Sequence, residues 1–220
     1  PDFVVQGGDL IEDTTREIDI QNMKKGIAIL SKLNCPVHHL VGNHELRCLT
    51  TRDIKKLLGY KQLYFSFDKN DFRFLFLFTE QPYPGKVISL ESKQIRWLRK
   101  KLDTDKKIVI FSHHSLVPVN TRGNFWFSGR PEVTFINNHE EFLRAIAKNN
   151  VKLVFNGHLH WNRKKIIQGI PFITTQSLIE NVSKNIEGPP ANAFVLVTVD
   201  HDDVSVRIKG LGGRKYKIKL

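Results

Sequence analysis

Four polar clusters carry residue types that bind divalent metals and move protons. They are Asp9 behind Gly7-Gly8, Asn43-His44 in Gly42-Asn43-His44-Glu45, His113 in Ser112-His113-His114, and His158 with His160 in Gly157-His158-Leu159-His160. A carboxylate, an amide oxygen and three imidazoles suit a cluster of divalent transition metals, since imidazole favours zinc, iron or manganese and carboxylate tolerates each. One at a time the clusters have plainer readings. Asp9 after two glycines could cap a turn, and Gly-Asn-His-Glu could cap a helix. Their ordered conjunction points to a metal pair. Each follows the carboxyl end of an apolar run that reads as a buried strand, the address where open α/β sheets place ligand sites.

The positioning elements follow from periodicity. Residues 3–6 (Phe-Val-Val-Gln) read as a short strand. From about Glu17 to Leu33, apolar Ile20, Met23, Ile27 and Leu30 recur at helical spacing, and Pro36 blocks extension. His38 to Val41 predicts a second strand, with a helix from about Arg52 to Leu58 behind it. Leu63–Phe67 and Phe72–Phe78 are expected as antiparallel neighbours joined through Lys69-Asn70. After a Pro-rich break at Gln81–Gly85, Leu90 to Leu102 predicts an amphipathic helix carrying Ile95, Trp97, Leu98 and Leu102. Lys107–Phe111 is a strand presenting Ser112-His113-His114, and a long loop with Arg122, Phe125, Trp126 and Arg130 leads to a helix from about Glu140 to Asn149. Lys152–Phe155 is another buried strand, running into Gly157. The last third is β-rich, with strands near 163–168, 171–174, 193–199 and 203–208 before Gly212-Gly213 and a basic tail. The pattern predicts an α/β chain forming one domain over 1–220.

Composition narrows the partners. Lysine and arginine exceed aspartate and glutamate by 34 − 22 = 12, a surface that attracts anions or simply keeps the protein soluble. Cys35 and Cys48 lack the paired spacing of zinc ribbons or disulfide scaffolds, so a reducing, cytoplasmic setting is the default. No run of about 18 apolar residues predicts a membrane span. The chain opens with Pro-Asp and enters a strand at once, which reads as a domain truncated at its N-terminus.

Gly8-Asp9-Leu-Ile-Glu12, Gly42-Asn43-His44-Glu45, Ser112-His113-His114 and Gly157-His158-Leu159-His160 together resemble the calcineurin-like metallophosphoesterase superfamily, in the right order over about residues 2 to 175. The resemblance implies a β-sandwich of two mixed sheets flanked by helices, with two divalent metals (manganese, iron or zinc) between the strand ends. It also implies that Asp9 bridges the metals, that Asn43, His113 and His158 bind the second, and that His160 reaches the first. His113 is preferred to His114 because the family ligand lies two positions before a proline or its substitute, here Ser115. His44 would be no ligand but would contact the phosphate and help the leaving oxygen depart. The family's second acid, three residues after the bridging aspartate, is Glu12, with Asp13 beside it; which of them, if either, orients His44 is left open by the resemblance. The family's opening Asp-x-His motif, two ligands to the first metal, has no counterpart in the chain.

The resemblance implies a metal-dependent hydrolase of phosphate esters using a metal-bridging hydroxide, and the similarity of these motifs to the small-nucleotide and cyclic-nucleotide phosphodiesterase branch implies a phosphodiesterase on small nucleotide-like substrates. The long loop would bring Phe125 and Trp126 to stack on a base and Arg122 and Arg130 to hold phosphate, or would merely pack down. Rival readings are a phosphomonoesterase, a nuclease or nucleic-acid-binding module drawing on the basic tail 213–220, and an inactive binding scaffold. The tail's alternation also fits an edge strand protected by lysines, the preferred reading. No membrane partner is expected.

Overall fold

The computed structural model describes residues 1–79, 87–183, 186–200 and 203–219. The Pro-rich break expected at Gln81–Gly85 lies outside the described residues. The first half of the chain alternates strands and helices: β1 (Val4–Gln6), α1 (Arg16–Leu30), β2 (Val37–His39), α2 (Asn43–Cys48), α3 (Thr51–Leu58), β3 (Phe65–Lys69), β4 (Phe72–Phe76), α4 (Ser92–Leu102) and β5 (Lys107–Ser112). Then come α5 (His139–Ile146), β6 (Val151–Asn156), β7 (Arg163–Ile167), β8 (Ile170–Thr174), the hairpin β9 (Asn181–Ser183) and β10 (Ile186–Gly188), β11 (Phe194–Asp200), β12 (Asp203–Lys209) and β13 (Arg214–Lys219).

Six strands form one mixed sheet in the order β3-β4-β5-β6-β8-β7, parallel from β4 to β8 and antiparallel at both edges. Its central strands read as continuous apolar runs because both faces are covered. On β5, Ile108 and Ile110 face the helical side with α4 and α5, while Val109 and Phe111 join the opposite cluster. That second cluster is roofed by two pieces, the parallel pair β1-β2 and the antiparallel sheet β11-β12-β13, which supply Val5, Val204, Val206 and Ile218. Helices α1, α2 and α3 close the outside through Met23, Leu46 and Ile54. The architecture is the expected α/β sandwich flanked by helices, with its second layer divided between those two sheets.

The departures from the periodicity have local causes. Helix α1 stops at Leu30 rather than Leu33 because Lys32 and Leu33 donate to Ile29 and Leu30, tightening the end into three-residue turns. Helix α5 stops at Ile146 because Ala147 is extended, Lys148 has φ 66°, and the Asn149 amide donates to the carbonyls of Ala145 and Ala147. Leu40 and Val41 are buried but leave the β1-β2 ladder for the Gly42 turn. The basic tail is the edge strand β13, with Lys215, Lys217 and Lys219 exposed and Ile218 buried against β12.

Helix α3 begins with a capping box: Asp53 N donates to Thr50 Oγ1 (3.1 Å) and Thr50 N to Asp53 Oδ2 (3.1 Å). Arg16 reaches the same carboxylate through Nε and Nη2 at 3.2 and 2.6 Å, tying α1 to α3. Thr50→Ala should therefore cost about 1 kcal/mol, a fall of about 2–4 °C in the melting temperature followed by circular dichroism. Among the described residues no helix is long and apolar enough to cross a membrane.

Candidate metal centre

The carboxyl ends of β1, β2, β5 and β6 meet at one end of the two layers. Strands β5 and β6 are in register from Ile110↔Val154 to Ser112↔Asn156, so His113 and Gly157 emerge side by side, and Gly157 N donates to His113 O at 3.0 Å. In the other layer β1 leaves through Gly7-Gly8-Asp9, where Gly8 has φ 90° and Asp9 φ 53°. A Cβ on Gly8 would stand 2.3 Å from His113 Nδ1, so a side chain there would displace the histidine.

Asp9 Oδ2 lies 3.1 Å from His113 Nε2, and Asn43 Oδ1 lies 3.3 Å from the same nitrogen. His113 Nδ1 is 2.8 Å from Gly7 O and donates there, so Nε2 faces two oxygens, as a proton donor when the ring is charged and as a lone pair when it is neutral. With the proton on Nε2 replaced by a metal ion, one carboxylate oxygen, one amide oxygen and one imidazole nitrogen converge on a point, a donor set that suits a cation. Burial alone would raise the Asp9 carboxyl, but His113, and after it His158 and His44, hold it well below the usual carboxylate range. Burial likewise works against charge on His113, and Asp9 more than offsets it, raising the ring above its ordinary value.

His158 and His160 both have positive φ (64° and 52°), flanking fully buried Leu159, whose N–H turns back to Gly157 O at 2.7 Å. His158 Nε2 donates to Val133 O at 2.7 Å, which leaves Nδ1 as the nitrogen it could offer a metal. Burial, then His113, pushes its pKa down to about 3, so the ring is neutral and ligand-competent at neutral pH. His160 Nδ1 contacts the Glu180 carboxylate, leaving Nε2 available. The structure therefore gathers Asp9, Asn43, His113 and His158, whereas the contact it gives His160 is to Glu180. His114 is also in this group: the ligand atoms of His113, His114 and His158 all lie within 4.8 Å of one another. Its Nδ1 is 2.7 Å from Thr79 Oγ1, its Nε2 has no hydrogen-bond partner among the described residues, and burial pushes its pKa well below the ordinary value. His113, not His114, is the one that touches Asp9 and Asn43.

His44 stands in the first turn of α2, a helix the periodicity did not predict. Its Nδ1 contacts the Asp13 carboxylate and lies 3.2 Å from Glu12 Oε1. Asp13 is the better-held partner: Arg47 Nη1 donates to its two oxygens at 3.0 and 2.9 Å, whereas the Glu12 side chain is 74% exposed. Burial would raise the Asp13 carboxyl, but Arg47 and then His44 lower it, keeping it an anion beside the imidazole. Asp13, named from the sequence beside Glu12, thus serves the site, and two further carboxylates do so without having been singled out by pattern: Glu180 and Glu45. For Glu45 a signal existed, since an acid three residues after Gly42 is the capping-box position.

The long loop grips the His158–His160 turn. Asn124, fully buried, accepts from Trp126 N (3.0 Å) and Phe127 N (3.1 Å) and donates to Leu159 O (2.9 Å). The Phe127 ring lies 4.7 Å from that of His158, and Phe125 and Trp126 form an edge-on pair, 36% and 41% exposed.

Residues 1–162 match the family described as Calcineurin-like phosphoesterase. A Psychrobacter sp. (strain PRwf-1) protein named as a probable cyclic nucleotide phosphodiesterase is 26% identical over 190 residues, covering 80% of this chain and 52% of its own length. The chain thus spans about half the length of that curated relative. Among solved structures, a dimetal phosphatase from Danio rerio superposes with TM-score 0.77 at 20% identity, over 99% of this chain and 83% of that one. A purple acid phosphatase from yellow lupin (Lupinus luteus) seeds does so with TM-score 0.71 at 17% identity, over 99% and 46%. Both share the fold, and the matched span holds all four strand-end clusters: the chain belongs to the calcineurin-like phosphoesterase family.

Proposed function

We propose that residues 1–220 act as one metallophosphoesterase domain that hydrolyses phosphate esters, as a phosphodiesterase on small, nucleotide-like substrates. The observation that carries this reading is the convergence of Asp9 Oδ2 and Asn43 Oδ1 on His113 Nε2, next to a histidine held by carboxylates. Asp9 would bridge two divalent metals (manganese, iron or zinc), Asn43, His113 and His158 would complete the second, and His160 would serve the first. When bound, such a pair lowers the pKa of water and polarises the phosphoryl oxygen. The neutral Asn43 amide adds a ligand without adding negative charge, so the site stays attractive to a phosphate. His44, oriented through Nδ1 by Asp13 and Glu12, donates from Nε2 to the departing ester oxygen. Phe125 and Trp126, one turn of chain from the Leu159 contact, offer a stacking face for a base, and the relative's name points to the same substrate class.

The test is turnover of bis(p-nitrophenyl) phosphate and p-nitrophenyl phosphate with and without added Mn²⁺. The expected result is metal-stimulated hydrolysis, abolished by a chelator, with the diester preferred. Hydrolysis indifferent to metal would remove the metallohydrolase reading, and preference for the monoester would remove the phosphodiesterase one.

A further inference from the structure

We infer that Glu45 is a positioning residue that sets the spacing between Asp9 and Asn43 and thereby the metal affinity of the site; this rests on the two-metal reading above. The Glu45 side chain is buried, with the residue 1% exposed, and it faces backbone rather than the ligand cluster. Its Oε1 accepts from Leu10 N at 2.5 Å, and its Oε2 accepts from Asp9 N at 3.1 Å and Gly42 N at 2.7 Å. One carboxylate therefore holds peptide groups of two loops that arrive from different strands and carry different ligands. The link is reciprocal. Asp9 Oδ1 accepts from His44 N at 3.0 Å, so each loop's side chain binds the other loop's backbone.

Both Glu45 oxygens are occupied by N–H donors, which makes it a support and not a ligand. Only a carboxylate fits the role. Glutamine would keep the shape but turn an amide NH₂ toward one of three N–H donors, and aspartate is one methylene too short to reach both loops. The contacts also polarise the Asp9 and Leu10 peptides beside the bridging carboxylate. A helix cap alone would need only the Gly42 contact; the Asp9 and Leu10 contacts are what the cap does not explain.

The experiment compares the full chain with Glu45→Gln and Glu45→Asp, measuring Mn²⁺ affinity by calorimetry, the visible d–d spectrum of bound Co²⁺, and far-ultraviolet circular dichroism. Thr50→Ala serves as a control that lowers stability without touching the site. The expected result is about 10–100-fold weaker Mn²⁺ binding and a changed Co²⁺ spectrum in Glu45→Gln, with Glu45→Asp between it and the parent. Thr50→Ala should keep the parent's affinity and spectrum. Parental affinity and spectrum in folded Glu45→Gln overturn the inference. If Glu45→Gln fails to fold, Glu45→Asp decides: weakened binding supports the inference and parental binding overturns it. An unsubstituted chain that binds neither Mn²⁺ nor Co²⁺ overturns the two-metal reading itself, an outcome distinct from variants that bind as the parent does.

Discussion

His44→Ala should lower kcat for a phosphodiester by about 10²–10⁴-fold while leaving bound Mn²⁺ unchanged. The asymmetry follows from how His44 is attached. Its imidazole reaches Asp13 and Glu12, whereas its contact with the ligand cluster is the backbone N–H to Asp9 Oδ1, which alanine keeps. Asp9, Asn43 and His113, the proposed ligands, therefore stay in place when the ring is removed. The size of the loss should also depend on the leaving group. A p-nitrophenolate departs with little help, so its ester should suffer least, and an alkyl ester, whose oxygen needs a proton, should suffer most. Kinetics and metal content measured on one preparation check the assignment. Equal losses of turnover and metal would make His44 a ligand, and equal losses across leaving groups would make it a binding residue without an acid's role.

The same dissection shows what the sequence makes legible. Strands β5 and β6 are apolar on both faces, so Ile108–Phe111 and Leu153–Phe155 declare themselves, and the polar residues that end them stand out as His113 and His158. The glycine-bounded clusters are legible for a related reason: Gly8 and Gly42 sit where a Cβ would collide with His113 or Asp9. Helix α2 is not legible, because its six residues include Asn43, His44 and Glu45, whose side chains are committed to the site and leave no apolar period. The partner Glu180 is hidden for another reason. Glu180 meets His160 across 20 positions, and no local spacing rule reports such a contact; Asp13 meets His44 across 31, and only the family motif brings it into view beside Glu12. Glu12 stands in the family's position, yet the backbone path after Asp9 brings the next residue, Asp13, closer to the imidazole. The division of the second layer into β1-β2 and β11-β13 is equally non-local, visible only once Val5 and Val204 are seen over the same phenylalanines.

Gly42→Ala should abolish tight metal binding and lower turnover by about 10²-fold or more, although it adds a single methyl group. Gly42 has φ −102° and ψ −171°, extended backbone that alanine adopts without strain. The penalty is collision: the new Cβ would stand 2.1 Å from Asp9 Oδ1 and 2.7 Å from Asp9 N. Asp9 has nowhere to retreat, since its carboxylate is tied to His44 N and His113 and its own N–H to Glu45. Displacing either loop pulls Asp9 away from Asn43, and the convergence on His113 Nε2 is lost. Gly59→Ala is the matched opposite. Gly59 caps α3 at φ 70° with nothing within 4 Å of a built Cβ, so alanine meets strain without collision. That strain should cost about 1–2 kcal/mol of stability and leave metal affinity intact. Calorimetric Mn²⁺ titration and thermal unfolding of the two variants should thus give opposite patterns, the first losing metal with its fold retained, the second losing stability with its site retained. A Gly42→Ala protein that binds and turns over normally would show that Asp9 moves freely, and the ligand set drawn from its position beside His113 would fall with that result.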